Sequence, residues 1–292
     1  MGKKISLEKH IVPALTNSYR IQEYAAEAFE YLYSRSAAKK AIKKGLIHIN
    51  GKVASTADFI EEGMMLELYK EFEESKKIFK LDFQVPFEDD YLAVIQKPAG
   101  YPTNGNYFKT IENALPHNLV KSQQKDALPW PQPVHRLDNP TSGLLLVAKT
   151  KKAQQVLSVA FERKQISKTY QAIVTGQYYK GLCSFDAIES KWARTEILRK
   201  QILQKNEQIY SLLQLNPITG RTHQLRIHLS RQNFPILGDK TYGCQQDNHK
   251  NGLMLCSFGL RFTHPITDNK LNIEGVLPKR FRQFINRCNV PN

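Results

Sequence analysis

Residues 143 to 148 read Gly-Leu-Leu-Leu-Val-Ala, an unbroken apolar run of strand length. A run that short and that uniformly apolar is a buried strand, and the rest of the chain must supply what covers it. Immediately before it stand His135, Arg136, Leu137, Asp138, Asn139, Pro140, Thr141 and Ser142, rich in residues that favour turns. A turn therefore delivers the carboxylate of Asp138 to the end of a buried strand. It does so in a chain whose 42 Lys and Arg against 27 Asp and Glu leave a net charge of +15.

Further short apolar runs recur with turns between them: Tyr91 to Ile95, Tyr170 to Val174, Tyr210 to Leu215 and Leu253 to Cys256. Helical spacing intervenes twice. Thr150 caps a segment that places Ala153, Val156, Leu157, Ala160 and Phe161 on one face, and Thr222 begins another around Leu225 and Leu229. This part of the chain is an α+β domain. The polar, mixed-charge segment 71 to 80, EFEESKKIFK, separates it from what precedes. With 292 residues the chain has the length for two domains.

The preceding part has its own character. Residues 35 to 52, RSAAKKAIKKGLIHINGK, hold six Lys and Arg and no acid. On a helix Ala37, Ala38, Ala41 and Ile42 share one face, while Lys39, Lys40, Lys43 and Lys44 share the opposite one. Ser34 or Ser36 caps this helix, Gly45 closes it, and an Asn-Gly hairpin turn follows. The pattern resembles the S4 RNA-binding domain over residues 20 to 69. That resemblance implies a small α/β domain at residues 20 to 70 that contacts RNA through Arg35, Lys39, Lys40, Lys43, Lys44 and Lys52. Residues 1 to 19 form an extension with no assigned role.

A strongly basic chain fits a polyanionic partner, because neutralised phosphates release their counterions. No apolar run approaches the roughly 20 residues of a membrane helix. The first residues lack the apolar stretch of a signal peptide, so a cytoplasmic location is expected. Cys183, Cys244, Cys256 and Cys288 have neither zinc-site spacing nor paired positions, and reduced, mostly buried thiols are expected. There is no GxGxxG, P-loop, HExxH or GxSxG, and the expectation is no metal and no cofactor.

Taken alone, Asp138 reads as an Asx-turn or cap residue. Its company changes the reading: KPAG at 97 to 100, KTYQAIVTG at 168 to 176, PITGRTHQLRIHL at 217 to 229, FPILGDKTYG at 234 to 243 and FTHP at 262 to 265. In this order, with HRLDNPTSGLLLVAK, these elements resemble the RluA family of pseudouridine synthases. The likeness spans roughly residues 81 to 284 of a domain placed at 81 to 292. It implies a mixed, mostly antiparallel sheet and an RNA uridine isomerase: the N1–C1′ bond is cut, the base is turned while held, and C5 is joined to C1′.

By the same resemblance Asp138 is the catalytic aspartate, acting on the sugar as nucleophile or as base. A partly desolvated carboxylate keeps its charge only beside an opposite one, and Arg226 occupies the position the family uses for that pair. Tyr170 matches the active-site tyrosine that stacks on the target base. Arg136 fills the space the flipped base vacates. His135 is read mainly as a structural hydrogen-bonding residue near the RNA, and Lys168 and Arg221 as RNA contacts. His223 and His228, five apart, miss the spacing of two metal ligands on one helical face, and packing or RNA contact is expected of them. Lys97 and Lys240 are assigned to structure or phosphate contact.

Large-subunit ribosomal RNA is the favoured substrate, since S4-bearing relatives of the family act there, with transfer RNA second. A single copy is expected to suffice. Two rivals remain at this point: a silent RNA-binding or ribosome-assembly factor, and a nucleosidase that hydrolyses the same bond. The intact Asp138, Tyr170 and Arg226 set weighs against the first. The lack of a second acid or metal to activate water weighs against the second.

Overall fold

A computed structural model describes residues 4–15, 17–32, 34–71, 77–181, 183–243 and 252–289. The chain divides between Lys76 and Lys77 into two units. Of the expected connector at 71 to 80, residues 72 to 76 lie outside the described residues.

The first unit contains β1 (Lys4–Ile11), β2 (Tyr19–Arg20), α1 (Ile21–Ala28), α2 (Arg35–Lys43), β3 (Ile47–Ile49), β4 (Lys52–Val53), β5 (Phe59–Ile60) and β6 (Met65–Glu71). Ser34, of the two serines considered, caps α2: its Oγ accepts from the Ala37 N–H at 3.2 Å. Gly45 ends the helix at φ +66°, a conformation that costs glycine nothing. Ala38, Ala41 and Ile42 bury against Ile21, Ala25, Ile47, Leu66 and Leu68. Arg35, Lys39, Lys40, Lys43 and Lys44 all stay exposed, as does Lys52 across the hairpin.

The Asn50-Gly51 turn has both residues left-handed, at φ 49° and 78°, which matches the twist of a two-residue hairpin. Most of the N-terminal extension is structured. Strand β1 pairs antiparallel with β6 and completes a sheet ordered β1-β6-β3-β4, with Lys9 opposite Glu67 and joined to it at 2.8 Å.

The second unit contains β7 (Phe87–Glu88), β8 (Leu92–Lys97), α3 (Ile111–Asn118), β9 (Ala127–Pro133), β10 (Ser142–Thr150), α4 (Lys151–Glu162), β11 (Ser167–Thr175), β12 (Cys183–Ile188), β13 (Lys191–Lys205), β14 (Gln208–Pro217), α5 (Gln224–Arg231), β15 (Leu255–Thr263), β16 (Lys270–Glu274) and α6 (Lys279–Ile285). Among the described residues these strands make one sheet with the path β12-β13-β14-β11-β15-β10-β8-β7, β9 joining β10 and β16 joining β15. The β10–β15 contact is the one parallel pair among them.

The apolar run of β10 is explained by its place in this order. Leu145 and Val147 enter one hydrophobic cluster and Leu144 and Leu146 another, so both faces are covered. Its neighbour β8 divides Ala93 and Ile95 from Leu92 and Val94 in the same way. Where β10 meets β15, Gly143 has φ +116°, and a Cβ there would lie 2.1 Å from the Ser257 carbonyl oxygen.

Three local expectations change. The strand expected from Leu253 begins at Leu255, because the Met254 N–H bonds instead to the Leu237 carbonyl and the Met254 carbonyl accepts from Ile173. Thr150 caps α4 as expected, its Oγ1 accepting from Ala153 at 3.3 Å, but Val156 faces outward and is 41% exposed. Thr222 does not begin α5; His223 precedes that helix in a left-handed conformation, φ 54°. Cys256 is a buried free thiol and Cys288 a half-buried one. Cys244 and the Cys183 side chain lie outside the described residues.

Candidate active site

The turn that carries Asp138 is fixed from beneath. Lys97 ends β8 with 1% exposure and donates to the carbonyls of Pro98 at 3.1 Å, Asn139 at 3.2 Å and Thr141 at 2.9 Å. Three ammonium hydrogens thus meet three backbone acceptors around the turn. Burial pulls the Lys97 pKa down to about 7, with the negative charge of Asp138 acting the other way. Of its two expected assignments, structure is the one this placement fits.

Thr103 secures the residue before the acid. Its Oγ1 donates to the Leu137 carbonyl at 2.9 Å and accepts from the Leu137 N–H at 3.1 Å. The Gly100 N–H bonds to the Asn139 carbonyl at 2.9 Å, and the Thr141 N–H closes the turn on the Asp138 carbonyl at 3.0 Å. The Asp138 backbone is held on both sides while its side chain stays 24% exposed.

Arg226 reaches Asp138 but does not belong to it alone. Its Nη1 lies 3.9 Å from Asp138 Oδ2, whereas Nε and Nη2 donate to the two carboxylate oxygens of Asp239 at 2.7 Å each. The expected pair of one acid with one arginine is therefore a chain of three, Asp138, Arg226 and Asp239. Burial works against the arginine's charge, but the hydrogen bonds and charge of Asp239 outweigh it and raise the pKa further. Burial likewise opposes ionisation of Asp239, yet Arg226 and the N–H groups of Tyr242 and Thr241 hold its pKa below the usual carboxylate range. The bidentate geometry fixes the guanidinium plane. Asp239 had no assigned role in the sequence; it sits in the loop after β14 and α5, where only folding brings it to Arg226.

His223 also enters the site. Its Nε2 lies 3.7 Å from Asp138 Oδ2, and its Nδ1 hydrogen-bonds the Tyr242 hydroxyl at 3.0 Å. The Tyr242 ring in turn receives the Arg226 guanidinium, 4.9 Å from its centroid. His228 points elsewhere, its Nδ1 paired with the Thr195 hydroxyl at 2.9 Å. The two histidines do not converge, and among the described residues no three His, Cys, Asp or Glu side chains cluster as a metal site would require.

The segment before α5 is held by Gln224. Its Nε2 donates to the Arg194 carbonyl at 2.9 Å and Thr195 Oγ1 at 3.1 Å, and its Oε1 accepts from Thr219 Oγ1 at 2.6 Å and the Arg221 N–H at 3.1 Å. This network ties the GRTHQLR turn to the start of β13 and places His223 and Arg226 on the side facing Asp138.

These groups open into a cleft of about 630 Å³ whose wall includes Asp138, Tyr170, Arg226, Lys168, Arg136 and Arg221. Tyr170, on β11, is 9% exposed, and burial raises the pKa of its hydroxyl. Lys168, half-buried two residues earlier, has its pKa lowered by burial. Arg136 and Arg221 are exposed at the wall. His135 is turned inward: its Nε2 accepts from the Leu146 N–H at 3.0 Å and its ring stacks on Phe161 with centroids 4.6 Å apart. Burial, with Lys168 nearby, pulls its pKa down to about 3. Both facts describe a neutral structural imidazole. Lys240 is exposed next to Asp239. Arg35, Lys39, Lys40, Lys43, Lys44 and Lys52 lie on the first unit.

The RNA pseudouridylate synthase family model matches residues 91–231 and the S4 domain model residues 29–66. Ribosomal large subunit pseudouridine synthase D of Pasteurella multocida is 30% identical over 299 residues, covering 91% of this chain and 90% of that protein. The tRNA pseudouridine synthase C of Haemophilus ducreyi is 31% identical over 236 residues, covering 71% of this chain and 96% of that one. Among solved structures, human RNA pseudouridylate synthase domain containing 4 superposes with a TM-score of 0.53 at 25% identity, over 71% of this chain and 94% of its own.

The chain belongs to the RluA-type RNA pseudouridine synthases that carry an N-terminal S4 domain. Its reaction is an isomerisation, the conversion of uridine in RNA to pseudouridine.

Proposed function

We propose that this enzyme isomerises uridine in large-subunit ribosomal RNA, with Asp138 acting on the ribose of a uridine swung out of its stack. The observation that carries the reading is the Asp138 carboxylate, 3.9 Å from the Arg226 guanidinium and open to the cleft. Arg226 lies beside that carboxylate as it acts on the sugar, as nucleophile at C1′ or as base. Tyr170 supplies the flat partner that detains the free base while it turns. The N1–C1′ bond breaks and C5–C1′ forms; C5 loses a proton and N1 gains one, so nothing is consumed. Flipping costs a few kcal/mol, which phosphate contacts by Arg136, Lys168, Arg221 and the cations of α2 offset.

Ribosomal RNA is favoured because the similarity to the large-subunit enzyme runs through the S4 region, whereas that to the tRNA enzyme covers 71% of this chain. An enzyme with this substrate works in the cytoplasm. The enzyme is proposed to act as a monomer.

The test is incubation with unmodified total RNA, followed by carbodiimide-stop sequencing, beside an Asp138→Asn control. New stops in large-subunit RNA that vanish in the control support the reading. Stops confined to transfer RNA overturn the substrate, and abasic sites or binding without modification overturn the mechanism.

A further inference from the structure

The hairpin of β12 and β13 turns on Glu189 and Ser190, both left-handed at φ 50° and 60°. Two residues later Trp192 stands 52% exposed, a large aromatic surface left to solvent. It is not isolated from the cleft. The Trp192 carbonyl accepts from Arg221 Nε at 3.2 Å, and the Lys164 ammonium lies 5.5 Å from the centre of its ring. Arg221 and Lys164 both line the cleft wall. Arg221 is two residues from His223, which faces Asp138 at 3.7 Å. Trp192 therefore stands at the cleft rim, joined to its wall through Arg221 and Lys164.

Its position is fixed. Arg194, two residues on, donates its N–H to Thr219 Oγ1 at 2.9 Å, and its carbonyl receives Gln224 Nε2 at 2.9 Å. Lys164 is held with comparable care. It occupies the left-handed position just past α4, φ 57°, with the Gln165 N–H closing on the Ala160 carbonyl at 2.8 Å. That position is normally glycine's, because a Cβ is disfavoured there. The left-handed residue that closes α4 is thus a lysine, and its ammonium lies over the exposed tryptophan.

We infer that Trp192 is a stacking platform for an unpaired base of the substrate RNA next to the target uridine, with Lys164 and Arg221 taking the flanking phosphates. The inference rests on the function proposed above and specifies how the same cleft holds the RNA beside its target. Glu162 also lines the wall and Glu189 sits at the hairpin tip, so the rim is not uniformly basic. An aromatic face that accepts any base fits such a rim better than a phosphate track does.

The chain has two tryptophans, so Trp130→Phe leaves Trp192 as the sole one. Titration of that full-length variant with an eight-nucleotide oligouridylate is expected to quench its emission, and inorganic polyphosphate of matching length is not. Steady-state kinetics on an unmodified large-subunit RNA transcript are expected to show KM raised roughly 5- to 100-fold by Trp192→Ala, with kcat within about twofold and Trp192→Phe close to wild type. No quenching, equal quenching by both polymers, or an unchanged KM overturns the platform. If the unaltered enzyme forms no pseudouridine, the functional reading fails instead, and the fluorescence titration still decides whether Trp192 stacks on bases.

Discussion

Arg226 presents Nε and Nη2 to Asp239 at 2.7 Å each and leaves Nη1 for Asp138 at 3.9 Å. The arginine is aimed by one carboxylate and offered to another, so its orientation towards Asp138, the acid proposed to act on the ribose, is set within the protein itself. Asp239 is accordingly a positioning residue whose loss is felt at Asp138.

Replacing Asp239 with Asn breaks a pair whose side chains are 5% and 0% exposed. Leaving Arg226 buried without its counter-charge is expected to cost about 3–5 kcal/mol in urea unfolding, relative to wild type. Pseudouridine formation on total RNA should fall as well, measured at a temperature where the variant is folded. Adding Arg226→Met to Asp239→Asn should recover part of the stability; a strictly additive double variant would show that the pair is not coupled.

His135 ties stability to pH. Its Nε2 accepts a backbone N–H and its folded pKa is pulled down to about 3, so the native imidazole stays neutral well below its ordinary value of 6.5. The unfolded chain takes up a proton as pH falls through 6.5, and the native state does not. Stability is therefore full above 6.5 and falls with acid, by about 1 kcal/mol per pH unit between 6.5 and 3. Urea midpoints at pH 7, 6 and 5 should show this slope, reduced in His135→Gln.

The cations of α2 are expected to act through counterion release. Replacing Lys39, Lys40, Lys43 and Lys44 with Ala should lower the slope of log affinity against log salt by about 3 and leave the circular dichroism unchanged. An unchanged slope would clear this helix of RNA contact.

Gly143 and Gly51 make a controlled comparison. An Ala Cβ at Gly143 would meet the Ser257 carbonyl oxygen at 2.1 Å, while at Gly51 nothing lies within 4 Å, although both φ angles are positive. Gly143→Ala is expected to cost more than about 4 kcal/mol or to prevent folding, because β10 and β15 could not close. Gly51→Ala should cost about 1 kcal/mol, the conformational term alone. Equal melting temperatures for the two variants would contradict this.

What could be read from the sequence was what is local. The Ser34 and Thr150 caps and the Asn50-Gly51 turn each depend on neighbours within a few residues, and the β10 run is marked by its own unbroken apolar composition. Asp239 depends on a residue 13 positions away through a loop, and nothing in Gly-Asp-Lys-Thr announces it. The β12–β13 hairpin turns on Glu189 and Ser190, residues that carry no strong left-handed preference, so no turn signal preceded the strands. The start of α5 was misplaced because Gln224, not a capping hydroxyl, organises the turn before it. Leu253 and Met254 looked like strand because they are apolar, but their backbone bonds run to Leu237 and Ile173 instead.

Strand β1 has a consequence for handling the protein. With Lys4–Ile11 paired to it, β6 lies inside its sheet, and the new edge carries Lys4, Lys9 and an irregularity between Ser6 and Glu8. Charge and broken register are what keep an edge strand from recruiting a second one. A version begun at residue 20 would expose the backbone of β6, with Leu66 and Leu68 behind it, and would invite edge-to-edge aggregation. The first residues thus act as a guard on solubility as much as an addition to the fold.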